Sequence, residues 1–598
     1  MLKLRIWFNK RLQSGMGGYL LLLGIALVLL ICIVCIVSLF DKDFSWNTSY
    51  ALGVNHVKDN PWLYIALGIC GTMVFGGIMV TVFTSGVERS VERLRNGQIR
   101  YRHLKNHFIV VGWNPYTPEL LSQLCEKYPK SKTILLVQDN AVEVNTNLDT
   151  SLRHDFKRRV IVYASGARNV VSLLPSLCLA HAQAVYLTDR ETTSSDEIAQ
   201  FMQLKEFNSF LAGKRQDLLP VYVQVNDVFT YNALQRIDTD RIMFSSSEKE
   251  THLDIHFYNF YENWARQLWG YGGNNQYDQL DFEPLEKSEK RVHLVIVGFN
   301  NMGRALLLEA LRICHYPNKC TTSISIIDSQ AQSHSLQFSA QFPSLNTIGD
   351  IDIHFIDGTI ESEPIRQQLA QWADDATQLL TIVICPDHPD YAFRTAINLP
   401  ESVYIQPNMT VNPHTRILVC QTVPQFPLEI PMTLRYPNIK FFGILSSGFN
   451  LNMLSDDLAI VINGRYSDNI MGADDSVDLS LRLEEWKKRW ADTGITSEAS
   501  KYASRYQSDY FRSLLTLLRR QEGTLSPELM EQLAESEHNR WIAERILAGW
   551  RQAKNGECRN NALRIHDQII PYTALSEKEK EKDRNVIRFA SKLSKQKN

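Results

Sequence analysis

Net charge is nearly absent from this chain. Its 63 Lys and Arg against 65 Asp and Glu leave a formal −2 over 598 residues, which excludes a broadly basic nucleic-acid binder. Paired cysteine spacing is missing too. The ten cysteines stand singly apart from Cys32 and Cys35, so a disulfide framework is not indicated and a reducing cytosol suits most of the chain. Catalytic signatures are lacking: no nucleophile motif or recognisable substrate domain is present, and the expectation is a protein without enzymatic activity. His252 and His256 stand at metal-pair spacing without a third ligand, so no metal site is expected. Their segment 250–270 reads as an aromatic amphipathic helix.

Ionised side chains are absent from two long apolar runs, residues 19–40 and 62–84. Each exceeds the roughly 20 residues that cross a bilayer, and the first offers no small-residue cleavage site. The spacing predicts two membrane-spanning helices. Lys3, Arg5, Lys10 and Arg11 precede the first, and Arg89, Arg93, Arg95, Arg100, Arg102 and Lys105 follow the second, which puts both termini on the cytoplasmic side of a cell membrane. Gly68, Thr72, Gly76 and Gly77 form a small-residue face, either a packing or gating surface or glycine merely tolerated in an anchor. Loop 41–61 is too short for a potassium pore helix and filter.

Beyond the apolar runs the chain repeats itself. "HFIVVGWN" from residue 107 returns as "HLVIVGFN" from residue 293, and five further β-branched runs follow each in matching order. The pattern predicts two tandem doubly wound parallel-sheet units of six strands, the sixth being "RIMFSSS" in the first unit and "KFFGILSS" in the second. In the second, Gly298, Asn300 and Gly303 form a G-x-N-x-x-G turn, with Asp328 placed for a ribose hydroxyl. The first keeps Gly112 and Asn114, with Asp139 one place later than Asp328. NAD(H) or an adenine nucleotide is the expected non-catalytic ligand; the competing reading is a sheet retained for assembly alone.

The last segment, "LAESEHNRWIAERILAGW" (533–550), sets Ala534, His538, Trp541, Arg545 and Ala548 on one helical stripe, flanked by Glu537, Arg540 and Glu544. A flat ring, an imidazole and a guanidinium suit a base plus a phosphate. Equally, Trp541 and Trp550 are core tryptophans beside surface ion pairs.

Two resemblances extend these readings. The tandem units, with their "IDGT" turn at 356–359 and Asp357, resemble RCK domains, regulators of potassium conductance that form gating rings; the match covers about 105–465. It implies a homo-oligomer, a tetramer favoured. Residues 525–598, through Leu533, Ala534, Glu535, His538, Trp541, Glu544, Arg545, Gly549, Trp550, Pro571, Tyr572, Leu575, Lys582 and Asp583, closely resemble the RyR domain of bacterial proteins. That resemblance implies a sensor of nucleotide-derived ligands, within antiviral defence, with His538, Trp541, Glu544, Arg545, Trp550 and Tyr572 as ligand contacts.

The expected fold class is therefore membrane α plus α/β. Its parts are an N-terminal tail (1–18), a span (19–40), a loop (41–61), a span (62–84), a linker helix (85–104), an RCK-like domain (105–270), a linker (271–290), a second RCK-like domain (291–466), a helical connector (467–524) and the RyR domain (525–598). The expected function is a ligand-gated effector of the inner membrane, channel-like in that its spans open a poorly selective path for ion transport, or else disrupt the membrane. Two alternatives stand: a constitutive channel regulated through the RCK units, and a membrane-tethered nicotinamide oxidoreductase.

Overall fold

The computed structural model describes residues 86–137, 140–165, 170–188, 204–235, 252–271, 288–386, 389–421, 435–443, 451, 456–472, 479–491, 496–520 and 525–595. Two sheets of six strands dominate it. The first takes β1 (His107–Val111), β2 (Thr133–Val137), β3 (Val160–Ala164), β4 (Ala182–Leu187), β5 (Leu219–Gln224) and β6 (Leu253–Tyr258), in the order β3-β2-β1-β4-β5-β6. The second takes β7 (Arg291–Val297), β8 (Thr322–Asp328), β9 (Ile351–Asp357), β10 (Gln378–Ile384), β11 (Thr415–Cys420) and β12 (Ile439–Phe442), in the order β12-β11-β10-β7-β8-β9. Both are the doubly wound order of a Rossmann-like fold, which reverses direction beside the first strand. Strands such as β7 and β10 are apolar almost throughout because helices cover both faces of the sheet.

The expected fold class is corrected here. The architecture is α/β, and among the described residues no helix is long and apolar enough to cross a membrane. Residues 19–40 and 62–84, and with them Gly68, Thr72, Gly76 and Gly77, lie outside the described residues. Asp139 and residues 241–247 lie outside them as well. The sixth strand of the first sheet is β6, within the segment expected to be helical. Leu253, Ile255 and Phe257 alternate with half-buried Asp254 and His256, a period of two, and a helix starts only at Phe260. His256 pairs with Asp254 at 2.9 Å and stacks on Tyr222. The expected linker helix is helical over residues 86–95.

Two compact units are formed, one carrying β1 to β4, the other carrying Asn114–Gln123 and everything described from Pro220 onward. Within the second unit one core is continuous. It joins α1 (Phe260–Arg266), α2 (Asn301–Ile313), α3 (Glu498–Arg520), α4 (Pro527–Leu547) and α5 (Glu577–Lys595) through residues such as Trp264, Leu306, Phe511, Leu533 and Ile587.

A buried ionic cluster crosses this core. Arg266 forks onto Asp509 at 2.7 and 3.0 Å, while Arg312 Nη1 reaches Glu262 at 3.2 Å and Glu309 at 3.3 Å. Burial, reinforced by the negative charge of Asp509, pushes the Glu309 carboxyl up to about 8. A folded-state value above the ordinary 4.5 means that its contribution to stability is complete below the ordinary value and is lost as pH rises through about 8. Glu309→Gln is therefore expected to flatten the decline. Melting temperatures at pH 6 and 8.5 should show the variant gaining on the native chain at the higher pH.

Candidate ligand-binding site

Helix α4 begins by local rules. Ser526 accepts the Leu529 amide at 3.1 Å, Pro527 occupies the first turn, and Glu528 complements the helix dipole. It ends in a Schellman turn. Gly549 takes φ +83°, its amide donates to Ile546 O at 2.9 Å, and the Trp550 amide donates to Arg545 O at 2.9 Å. That turn brings Trp550 back beside the last helical turn.

A cavity of about 640 Å³ opens against α4, within the size range of small-molecule sites. Five of the six ligand contacts expected in this region line it: His538, Trp541, Glu544, Arg545 and Trp550. Trp541 and Trp550 are half-buried. The His566 ring meets both edge-on, at 4.9 Å and 5.8 Å, and the Arg545 guanidinium lies 5.7 Å from each indole. Burial, with Arg559 nearby, lowers His566 to about 4, so it is neutral at pH 7. Its Nδ1 accepts the Gln568 amide at 3.1 Å.

His538 is occupied at both ring nitrogens. Nε2 donates to Ile570 O at 2.9 Å, and Nδ1 lies 3.3 Å from Asp583, whose carboxyl is raised by burial. Only its ring face is left, and that face stacks with Trp541 at 5.6 Å and 20°. His538 therefore positions the indole. Tyr572 packs behind His538 at 6.0 Å, donates to Glu531 at 3.2 Å and takes no part in the cavity wall.

Arg540, placed by the sequence only as a flanking charge, is a buried wall residue. It forks onto Glu537 at 2.8 and 2.9 Å, and Gln507 donates to the same carboxylate at 2.8 Å. The i,i+3 spacing of Glu537 and Arg540 was a visible sign of the pair; its burial was not. Arg312 and Gln235, also on the wall, carried no sequence sign.

The glycine turns have a different character. In the second sheet a Cβ on Gly303 would meet Gly298 O at 2.2 Å, the close helix–strand packing that a dinucleotide fold requires. The phosphate-binding amides, however, are taken. Asn300 Oδ1 accepts from the amides of Met302 at 3.0 Å and Gly303 at 3.1 Å, while its Nδ2 donates to Cys385 O at 2.8 Å. Asp328 accepts from the amides of Phe299 and Gln330, one on each oxygen; Asp357 pairs in register with it on β9 and is exposed. In the first repeat Asn114 Oδ1 likewise accepts from the Tyr116 amide and Thr117 hydroxyl. Gly112 is held at φ +102° against Thr188. In the second turn the asparagine carboxamide takes two amides of the kind a pyrophosphate would use, and in the first it takes one amide and a hydroxyl.

Helices α4 and α5 with the short pair β13 (Arg551–Gln552) and β14 (Ile565–His566) thus make a small, mostly helical module bordering this cavity. That module is a C-terminal RyR domain: residues 524–593 match the RyR domain family model. No curated protein matches the chain.

Proposed function

We propose that this protein is a receptor for an anionic, nucleotide-derived small molecule bound at the RyR-domain cavity and read by the second α/β domain. One observation carries the reading: two half-buried tryptophans at the edge of the core border a cavity of about 640 Å³ together with Arg545. Aromatic faces stack bases, and guanidinium groups receive phosphate. The relay is short. α4 packs on α2, the helix that starts at the Asn300 turn, and Asn539 donates to Asp350 at 3.1 Å, a carboxylate that His315 also contacts at 2.9 Å.

The output rests on sequence. The resemblance of the repeat to RCK domains supports a homo-oligomeric gating assembly, and the apolar runs 19–40 and 62–84 support an effect at the membrane, in keeping with a defence effector. Titration of the full chain with ATP, NAD and cyclic di-AMP, followed by tryptophan fluorescence, tests the receptor. At least one is expected to bind and to slow amide exchange over residues 301–313; binding by none overturns the proposal.

A further inference from the structure

The cavity wall has an asymmetry in its unmet hydrogen bonds. Four lining side chains carry a buried N–H with no hydrogen-bond partner: Gln235 Nε2, Arg312 Nε, Arg540 Nη1 and Arg545 Nε, the last with only a long ion-pair contact to Glu544 at 3.5 Å. No buried acceptor on that wall is in the same position among the described residues. Gln235, Arg312 and Arg540 are each more than nine-tenths buried. A buried donor without an acceptor is unfavourable, and a wall with only donors in deficit favours a ligand rich in anionic oxygen.

The four donors come from two places. Arg540 and Arg545 belong to α4 in the RyR domain, whereas Gln235 and Arg312 belong to the chain outside the matched residues 524–593. Arg312 stands in the last turn of α2 and lies over the Tyr506 ring at 3.6 Å, while the single Tyr506 O–H is shared between Gln235 Oε1 and Glu262 Oε1. None of the four N–H groups reaches solvent, so an anion engages them only if the side chains turn outward.

We infer that the cavity is a composite site in which the base lies against Trp541 and Trp550 and the phosphate is received jointly by Gln235 and Arg312 from the α/β part and Arg540 from the RyR domain. This rests on the nucleotide reading above and adds to it that the RyR domain alone does not complete the site. Occupancy draws Arg312 away from Glu262 and Glu309, and so acts on α2 directly.

The test uses the full chain and two conservative variants. Gln235→Glu keeps the oxygen that accepts from Tyr506 and exchanges the free donor for a carboxylate oxygen. Arg312→Lys keeps the positive charge beside Glu262 and Glu309 and removes the Nε–H. ATP, NAD and cyclic di-AMP all carry adenine, so adenosine is their uncharged counterpart. For the nucleotide that binds, each variant is expected to lose about tenfold or more in affinity, the scale of a charge-assisted hydrogen bond, with adenosine affinity kept within about twofold. Nucleotide affinity unchanged in both variants, while Trp541→Ala still abolishes binding, overturns the composite site and leaves the receptor standing. Equal losses for nucleotide and adenosine reduce the two residues to structural support and also overturn it. Failure of every nucleotide to bind the native chain removes both.

Discussion

Trp541→Ala is expected to lower the affinity of the full chain for its nucleotide about ten- to a hundredfold while leaving the fold intact. Stacking of a base on an aromatic ring contributes about 1–3 kcal/mol by alanine substitution, which sets that range. The effect is expected to be on binding because Trp541 is half-buried and borders the cavity, in contrast to Trp486, which is 1% exposed and packs against Ala459 and Ile460 in a separate cluster. Removing Trp541 leaves His538 held by Ile570 and Asp583, so the helix keeps its anchor. Trp541→Phe should recover part of the affinity, since the stacking face is retained. Isothermal titration of the three proteins gives the affinities, and circular dichroism verifies the fold. An alanine variant that binds as the native chain does would place the base elsewhere.

Much of this architecture was legible in the sequence because it follows local rules. Strands buried on both faces read as uninterrupted apolar runs, and those that line up between the repeats became β1 to β5 and β7 to β12. Helix α4 announced its start through Ser526 and Pro527 and its end through Gly549. Misreading came where two periods overlap. Leu253–Tyr258 alternates as a strand, but it runs within two residues into Phe260–Arg266, whose Asn259 cap accepts the Glu262 amide at 2.8 Å, and the combined aromatic content looked like one helix. Asn300 was visible as a departure from glycine; that its carboxamide closes the turn is a matter of geometry. The floor of the cavity was beyond reach for a different reason. Gln235, Arg312 and Tyr506 meet only through tertiary packing, and no spacing rule links residues that far apart in the chain.

Arg540→Ala is expected to destabilise the chain by about 3–5 kcal/mol, the cost of leaving Glu537 buried without its counter-charge. Both side chains are only 2% exposed, so solvent gives the stranded carboxylate little relief. The cause can be isolated by a second change. Glu537→Gln added to Arg540→Ala removes the charge and keeps an oxygen for Gln507 Nε2, which donates to Glu537 at 2.8 Å. The double variant should recover most of the loss in urea denaturation, whereas a lost packing contact would not be restored. Burial raises the Glu537 carboxyl even though Arg540 opposes that shift. A buried ion pair of this kind contributes little net stability compared with an apolar replacement; what it provides is a guanidinium fixed at the cavity wall with one N–H still unpaired. On the receptor reading proposed above, an incoming phosphate would compete with Glu537 for that group, and the exchange would act on α4, the helix that packs on α2. If the single and double variants prove equally unstable, Arg540 is a packing residue and this exchange does not operate.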